Sequence, residues 1–425
     1  MRFKLKPQTF HQKQVKSSLG ASFDARSRLL NALIKLMAWP LSGVLLVFTL
    51  RRWLFILSAL TPRQPGIQPA GKVEDLLSVL LLVPVRNEAD TLPDLLPALD
   101  QFDYPAAKLT LVFINDGSTD ASETILHSWL ETRQNWRMLS LPQNRGKANA
   151  LNLALSRFPQ GEIIAVYDAD ERPLPTALKH LIVHFADPHV AAVSGRRAVV
   201  NALASPAASY TTFEGLVHQM ITMRAKDRLQ LAPALLGSNC AYRRSMLAEV
   251  GNFKPGALLE DSDLTLKLTG AGWRTRFEPE AISYHHVPES LGGYWKQHTR
   301  WARGFADVAQ DQTRTLLARD KLPRLLRLEL LLFSVGYLDR LALLAAGGLA
   351  LLGSLIARWS VVVTLLTPLI QVMAALSLVR APLALWWRIV WLPVFFGLDM
   401  AMAANGFWGK LLSLPQIWED RRTRR

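Results

Sequence analysis

The sequence predicts an α/β protein with a Rossmann-like, mostly parallel sheet, flanked on both sides by transmembrane and interfacial helices. Two observations favour this fold class. Long apolar runs are concentrated in residues 29–60 and 327–405, whereas 71–320 has the mixed composition of a globular domain. Within that central part, continuous apolar runs alternate with segments whose apolar residues recur at helical spacing. Alternating strands and helices are typical of a parallel sheet covered on both faces.

Three apolar runs are predicted to be strands of this sheet: "LSVLLLVPV", "LTLVFIND" and "EIIAVYDAD". The intervening "SETILHSWLETR" and "GKANALNLALSRF" are predicted to be helices. In sheets of this kind, ligands bind at the carboxyl ends of the strands. We therefore expect Asp116, which ends the second strand, and Asp168 and Asp170, which end the third, to face one cleft.

The N-terminal apolar stretch is predicted to be one span followed by an interfacial helix, or else a tight hairpin. Lys35 and Pro40 interrupt it, and Arg51 and Arg52 divide it from a shorter apolar run. Beyond residue 320, three apolar segments each contain about 20 residues or more, which is enough to cross a bilayer. The number of spans stays open by one at each end of the chain.

These patterns divide the chain into six predicted regions. They are a basic arm (1–28), an N-terminal membrane region (29–60), a cytoplasmic globular domain (71–312), interfacial helices (313–330), C-terminal transmembrane helices (331–405) and a tail (406–425).

The chain is strongly basic, with 49 Lys and Arg against 34 Asp and Glu and a net charge of +15. The basic residues concentrate beside apolar runs, which favours contact with anionic lipids on the cytoplasmic face of a membrane. Nucleic acid is not an expected partner, because no candidate groove interleaves basic and aromatic residues. Cys240 is the single cysteine, so an intrachain disulfide and a thiolate metal cluster are both excluded.

An acidic cluster ends the third predicted strand, in "VYDADERPLP", and contains Asp168, Asp170 and Glu171. Two carboxylates spaced D-x-D at a strand exit can reach one divalent ion, and their hard oxygens suit Mg²⁺ or Mn²⁺. The alternative is a solvated turn that caps the following helix. The D-x-D pattern by itself does not separate these two interpretations.

Two further motifs are suited to a nucleotide. "INDGSTD" (114–120) places Asp116 where a base or a ribose can bind. "NRGKANALN" (144–152) places Gly146 and Lys147 at a helix start, where free backbone amides and an ammonium group can meet phosphate.

Two later motifs add acidic and aromatic groups. "LLEDSDLTLKLTGAGW" (258–273) opens a predicted helix with a cluster of acids that includes Asp261. "WKQHTRWARG" (295–304) places Arg300 next to Trp301. A guanidinium beside an indole suits a diphosphate next to a sugar ring, because Arg pairs bidentately with phosphate and Trp stacks on apolar sugar faces.

Taken together, N-D-G-S, D-A-D, L-E-D and Q-H-T-R-W, in this order and spacing, resemble the motifs of the membrane-embedded inverting family-2 glycosyltransferases. That family includes the cellulose, hyaluronan, chitin and poly-N-acetylglucosamine synthases. The resemblance covers about 77–310 by motif, together with the membrane segments on both sides. It implies a GT-A fold, a UDP-sugar donor, Mg²⁺ or Mn²⁺ as cofactor, and an inner-membrane protein whose catalytic domain is cytoplasmic.

The resemblance also implies a role for each matched position. Asp168 would contact the donor, Asp170 would hold the metal on the diphosphate, and Asp261 would be the general base. Arg300 would take up charge on the departing UDP. The remaining implied donor-binding residues are Pro84, Asn87, Glu88, Asp116, Lys147 and Gln297, and the implied acceptor-binding residues are Gly237, Ser238, Glu260 and Trp301.

Two acceptors stay open at this point. The first is a growing polysaccharide that a processive synthase extends and passes through its own membrane helices, with an accessory membrane or periplasmic subunit as a possible partner. The second is a membrane lipid that receives a single sugar. Leu259 departs from the family pattern, because the synthases usually have Thr there, and this weakens the case for a polymer. Asp399 lies inside a membrane run, as a functional group or as a hydrogen-bonding partner between helices.

Overall fold

The computed structural model describes residues 9–62, 76–257, 259–301, 304, 322–335 and 338–411. Parts of the predicted regions therefore lie outside the described residues. These parts are residues 1–8 of the basic arm, 71–75, 258 and most of 302–312 of the globular domain, 313–321 of the interfacial helices, 336–337 of the C-terminal helices, and 412–425 of the tail.

The described strands form one eight-stranded sheet with the order β3-β2-β1-β4-β7-β6-β8-β5. The strands are β1 Val79–Val85, β2 Leu109–Asp116, β3 Trp136–Leu141, β4 Ile163–Val166, β5 Arg172–Pro173, β6 Val190–Val199, β7 Cys240–Arg243 and β8 Arg274–His285. The first four strands pair with one another only in parallel. The α/β prediction is confirmed, but β7 runs antiparallel to both β4 and β6, so the sheet is mixed in its second half.

The central strands are apolar along their whole length because both faces of the sheet are covered. In β1, Val79, Leu81 and Val83 belong to the apolar core on one face, whereas Leu80 and Leu82 belong to the core on the other face. Alternate residues of a strand point to opposite faces, so a strand buried on both sides needs a continuous apolar run.

The helices cover the sheet and extend the chain at both ends. They are α1 Thr9–Leu60, α2 Leu92–Asp100, α3 Ser122–Leu130, α4 Lys147–Arg157, α5 Ala177–Ile182, α6 Pro206–Leu216, α7 Arg224–Arg228, α8 Arg244–Glu249, α9 Glu260–Gly270, α10 291–301, α11 Arg324–Ser334, α12 Leu338–Leu351, α13 Leu355–Leu378, α14 Leu383–Trp387 and α15 Leu392–Leu411. A π-helical segment, Val217–Met223, joins α6 to α7.

The chain divides into two compact units. One contains Met1–Arg51 and Leu338–Pro368, and its apolar contacts include Ile34 and Ala357. The other contains Arg52–Tyr337 and Leu369–Arg425, and it holds the whole sheet and every predicted site residue.

Within the described part of the chain, three helices are long and apolar enough to cross a membrane: Ala32–Leu60, Leu355–Leu378 and Leu383–Met402. A fourth would be added if α11 and α12 formed one broken span. The N-terminal apolar stretch is a single helix that begins at Thr9 and continues through Pro40, so the hairpin alternative is wrong. Proline is tolerated inside apolar spans, where neighbouring groups can satisfy the backbone carbonyl that it leaves without a donor.

Candidate active site

The loops that follow β1 and β2 are joined to each other by side-chain hydrogen bonds. Asn87 Oδ1 accepts from the Thr119 amide at 2.5 Å, and the Asn87 amide donates to Ser118 Oγ at 2.9 Å. The Glu88 amide donates to Ser122 Oγ at 2.7 Å. Asn87 has a φ of +53°, a left-handed conformation that Asn adopts more easily than most residues. The two loops therefore form one fixed edge at the carboxyl ends of these strands.

Asp116 is buried at the end of β2 and anchors the loop that leads into α4. Its Oδ1 accepts from the Arg145 amide at 2.7 Å, and its Oδ2 accepts from the Gly146 amide at 2.9 Å. Gly146 has a φ of +83°, in the region that favours glycine. The carboxylate thus fixes the turn before Lys147, a role in positioning that the sequence motif did not reveal.

Lys147 connects the D-x-D segment to the loop before β7 and to the first residue of α9. Its Nζ donates to Asp168 Oδ1 at 2.6 Å and to the Gly237 carbonyl at 2.8 Å, and it lies 3.6 Å from Glu260 Oε1. The Asp168 amide donates in turn to Ser238 Oγ at 2.8 Å. The structure therefore brings three other predicted site residues, Asp168, Gly237 and Glu260, around the ammonium group of Lys147, and Ser238 joins them through Asp168.

The three acids of the D-x-D segment have different partners. Asp168 pairs with Lys147, and the fully buried Glu171 accepts from Arg197 Nε at 2.5 Å. Burial raises the pKa of Glu171, with Arg197 opposing that shift. Asp170 is half-buried, and among the described residues its carboxylate has no hydrogen bond or ion pair. It is thus the carboxylate of the three that is available to a ligand.

Arg197 is a residue that the sequence analysis missed. It lies near the end of β6, and its backbone amide and carbonyl are both held by the side chain of Gln219, at 2.6 and 3.0 Å. Gln219 belongs to the π-helical segment, a feature often found at functional sites. No motif marks Arg197, because strand pairing places it beside Glu171, 26 residues away along the chain.

Asp261 lies in the first turn of α9 and is half-buried. Burial, and next the neighbouring Glu260, raise the pKa of Asp261 to about 7. Gly237 has a φ of +72°, and a Cβ atom at this position would lie 3.2 Å from Asp261 Oδ2. Glycine therefore permits both the backbone turn and the close approach of the carboxylate.

The predicted Q-H-T-R-W motif lies on α10. Gln297 Oε1 is buried and has no hydrogen-bond partner within the described part of the chain, and Arg300 is half-buried. Trp301 packs against an apolar cluster that includes Leu259. Because Leu259 immediately precedes Glu260 and Asp261, this packing connects the indole to the acidic helix. Pro84 remains within β1, opposite Ile114 of β2.

Comparison with known proteins agrees with this arrangement. The model of "Glycosyl transferase family group 2" matches residues 163–401, more than half of the chain, and that of "Glycosyltransferase family 25, N-terminal domain" matches 76–141. A probable glycosyltransferase of Bacillus subtilis, YdaM, is 31% identical over 55% of this chain and 56% of its own length. A poly-beta-1,6-N-acetyl-D-glucosamine synthase of Staphylococcus aureus is 29% identical over 57% of this chain and 58% of its own length.

The chain thus spans a little more than half the length of these curated relatives. Among solved structures, a mannosyltransferase from Pyrobaculum calidifontis, in complex with GDP-Man and Mn²⁺, superposes with a TM-score of 0.62 at 23% identity. The superposition covers 90% of this chain and all of that one, and shows a shared fold. The resemblance inferred from the four motifs is confirmed: the chain belongs to glycosyl transferase family group 2.

Proposed function

We propose that the protein is an inverting glycosyltransferase that moves a sugar from a UDP-sugar to a growing polysaccharide and extrudes the product through its membrane helices. The observation that carries this proposal is the position of Lys147, which contacts Asp168 on one side and lies near Glu260 on the other. Donor-binding and base-bearing segments therefore meet within the reach of one side chain, as a single transfer reaction requires.

In this proposal, residues 71–312 form the cytoplasmic catalytic domain, and the apolar helices on either side anchor it in the inner membrane. Basic residues beside the spans favour this orientation. The basic arm, the interfacial helices and the tail would contact membrane lipids. An accessory membrane or periplasmic subunit would receive the extruded chain.

The donor would bind at the carboxyl ends of the parallel strands. Asn87, Glu88 and Asp116, with Pro84, form the edge proposed for uridine, and Lys147 is the proposed cation for the diphosphate. Gln297 and Arg300 on α10 are proposed to contact the same diphosphate. The unpartnered Oε1 of Gln297 supports a role in donor binding, because this acceptor can be satisfied by a sugar hydroxyl while the Nε2 amide of the same side chain donates to phosphate, and a buried polar atom without a hydrogen bond is costly.

A divalent ion fits the residues that the structure places at the D-x-D segment. Asp170 offers a carboxylate without a protein partner among the described residues, and no cluster of three or more His, Cys, Asp or Glu side chains occurs there that could hold a metal alone. Mg²⁺ and Mn²⁺ sites of this kind are usually completed by substrate phosphates. When bound, the ion would neutralise charge on the departing UDP.

Asp261 is proposed to be the general base. The acceptor hydroxyl oxygen attacks the anomeric carbon, its proton moves to Asp261, and the bond from the anomeric carbon to the phosphate oxygen breaks with its electron pair leaving on UDP. A single displacement of this kind inverts the anomeric configuration. A base with a pKa near 7 is well matched to this proton transfer, because it is partly ionised at neutral pH and still basic enough to accept.

A second candidate function is the transfer of one sugar to a lipid-linked acceptor. Leu259 favours it, because this residue is buried in the apolar cluster that contains Trp301. An apolar side chain beside the proposed base and the proposed acceptor-binding indole suits a lipid better than the hydroxyl of the family's usual Thr.

One experiment tests both candidates. The purified full-length chain in lipid nanodiscs is given Mn²⁺ or Mg²⁺ and a panel of UDP-sugars, UDP release is followed, and products are sized by gel and mass spectrometry. A long product ladder from one UDP-sugar would support polysaccharide synthesis. A single mass increment that requires added lipid would favour the lipid acceptor. Absence of UDP release with every donor and lipid would refute the proposal.

A further inference from the structure

His298 lies in the middle of the Q-H-T-R-W motif, yet its side chain does not take part in the proposed chemistry. It is 3% exposed, and both of its ring nitrogens face acceptors. Nδ1 lies 3.0 Å from the Tyr294 carbonyl, and Nε2 lies 2.7 Å from Glu214 Oε2. A carbonyl and an ionised carboxylate can only accept, so this geometry is satisfied on both sides when the imidazole carries two protons.

The ring of His298 also organises the aromatic face of α10. It stacks on Tyr294 with ring centroids 3.9 Å apart and meets the indole of Trp301 edge-on at 4.9 Å. Edge-to-face contacts of this kind constrain the orientation of both rings. The orientation of Trp301 is therefore tied to the position of His298.

The same aromatic face packs against α15, a helix within a candidate membrane span. Phe395 contacts both Tyr294 and Tyr210, at centroid distances of 5.4 and 5.1 Å. Asp399, four residues later, lies on the same face of α15 and is 2% exposed. Helices α6, α10 and α15 thus meet at one joint that contains His298 and two acids.

The charges at this joint favour the imidazolium. Burial lowers the pKa of His298, but the Glu214 carboxylate and then Asp399 oppose burial, and the net shift is upward. The titratable or charged groups on the elements packed against His298 are Tyr210 and Glu214 on α6, Tyr294, Lys296 and Arg300 on α10, and Asp399 on α15.

We propose that protonated His298, held by Glu214 and facing Asp399, is a positioning residue that fixes Trp301 for the acceptor and links α10 to membrane helix α15. The proposal rests on the proposed function, in which Trp301 supports the acceptor. The proposal about His298 also explains why Asp399 is buried in α15, because its carboxylate faces the imidazolium of His298. If the proposal is right, a change at His298 alters the affinity for the acceptor and has little effect on the affinity for the donor. The affinity for the acceptor also falls as the imidazolium deprotonates at higher pH.

The test compares the full-length wild type with His298→Gln, Glu214→Gln and Asp399→Asn in nanodiscs. The acceptor probe is a short β-1,6-linked N-acetylglucosamine oligomer, the donor is UDP-N-acetylglucosamine, and the KM for each is measured between about pH 6 and 9, a range that spans histidine titration. His127→Gln, an exposed histidine on α3, is the matched control.

We expect His298→Gln to raise the acceptor KM about tenfold at neutral pH, in line with the loss of an oriented aromatic contact, and to change the donor KM by less than about twofold. In the wild type the acceptor KM rises with increasing pH, and His298→Gln removes that rise. Glu214→Gln and Asp399→Asn move the rise to lower pH, because each removes a charge that raises the pKa of the imidazole. His127→Gln behaves as the wild type.

An acceptor KM for His298→Gln within about twofold of the wild type, with the same pH dependence, would overturn the proposal. Equal rises in both KM values would also overturn it, because they would indicate a general structural role. If His298→Gln does not fold, the wild type and Glu214→Gln still test the proposal. A wild-type acceptor KM that does not rise with pH, or a rise that Glu214→Gln leaves in place, would overturn it. Failure of the proposed function has a different outcome, since the wild type itself would then release no UDP.

Discussion

The proposed donor side and the proposed acceptor side of the candidate site are built differently. On the proposed donor side, at the ends of β1, β2 and β4, Asn87, Asp116 and Asp168 are paired with the protein itself, as when both oxygens of Asp116 accept from backbone amides, and Asp170 stays available to a ligand. On the proposed acceptor side, Asp261 is half-buried beside Glu260, and its pKa is raised to about 7. The proposed donor side is thus held mostly by hydrogen bonds within the protein, whereas the proposed acceptor side holds two neighbouring carboxyl groups, Glu260 and Asp261, that repel each other when both are ionised.

This difference predicts how the free energy of donor binding and that of acceptor binding would arise. A preformed donor edge loses little conformational freedom when the nucleotide binds, which favours affinity. On the proposed acceptor side, a partly buried carboxyl group beside a second acid costs stability in the free protein, and the acceptor hydroxyl would hydrogen-bond to it. Lys147 touches both sides, so changes around it should reveal how strongly the two are coupled.

Removal of the base should have the largest effect on the acceptor side. Asp261→Asn is expected to lower kcat by about 10²–10⁴, the usual contribution of a general base, while the affinity for UDP stays close to that of the wild type. UDP binding by calorimetry and UDP release under the same conditions measure the two quantities. If the variant keeps turnover, another residue is the base. If it also loses UDP binding, donor binding and acceptor activation depend on each other.

Removal of the unpaired carboxylate should have the next largest effect, on the donor side. Asp170→Asn is expected to lower kcat about 10²–10³-fold, because a catalytic metal contributes several kcal/mol to charge stabilisation. Titration of activity with Mn²⁺ should show weaker metal dependence. Asp94→Asn is the control, since Asp94 pairs with Arg172 near the same segment but at the surface. If the dependence of activity on Mn²⁺ is the same in Asp170→Asn as in the wild type, residues other than Asp170 bind the metal.

A Cβ atom at Gly237 should test the close approach of Gly237 to the proposed base, Asp261. Gly237→Ala forces a left-handed alanine, which costs about 1–2 kcal/mol, and it also pushes on Asp261 Oδ2. We expect kcat to fall about tenfold and the melting temperature to fall by a few degrees. Gly251→Ala separates the two causes, because Gly251 has a φ of +84° but open space around it. Equal losses of activity in both variants would mean that the Asp261 contact is unimportant.

The smallest expected effect is a shift in pH dependence. Because Glu260 raises the pKa of Asp261, Glu260→Gln should lower that pKa and move the acid limb of the rate profile to lower pH, by less than about one pH unit. The wild-type rate should rise with pH through about 7, as the base ionises. Glu131→Gln, at an exposed position, should leave the profile in place. A shift to higher pH would contradict the assigned electrostatics.

Much of the fold and of the donor side could be predicted from sequence. The continuous apolar runs located β1, β2 and β4, since strands buried on both faces need such runs. The acids at the ends of these runs were located for the same reason, because the carboxyl ends of parallel strands share one edge. The single N-terminal helix was not resolved from the hairpin, because a proline and a lysine inside an apolar stretch are compatible with either.

The sequence by itself determined the family motifs, the separation of membrane from globular segments, and the strand ends that carry Asp116 and Asp168. Only the tertiary structure decided the partners of those residues. Lys147 and Gly237 are 90 residues apart along the chain, and His298 and Glu214 are 84 apart. Local propensity and periodicity act over a few residues, whereas such pairs are set by strand order and helix packing, so no pattern in the sequence marks them.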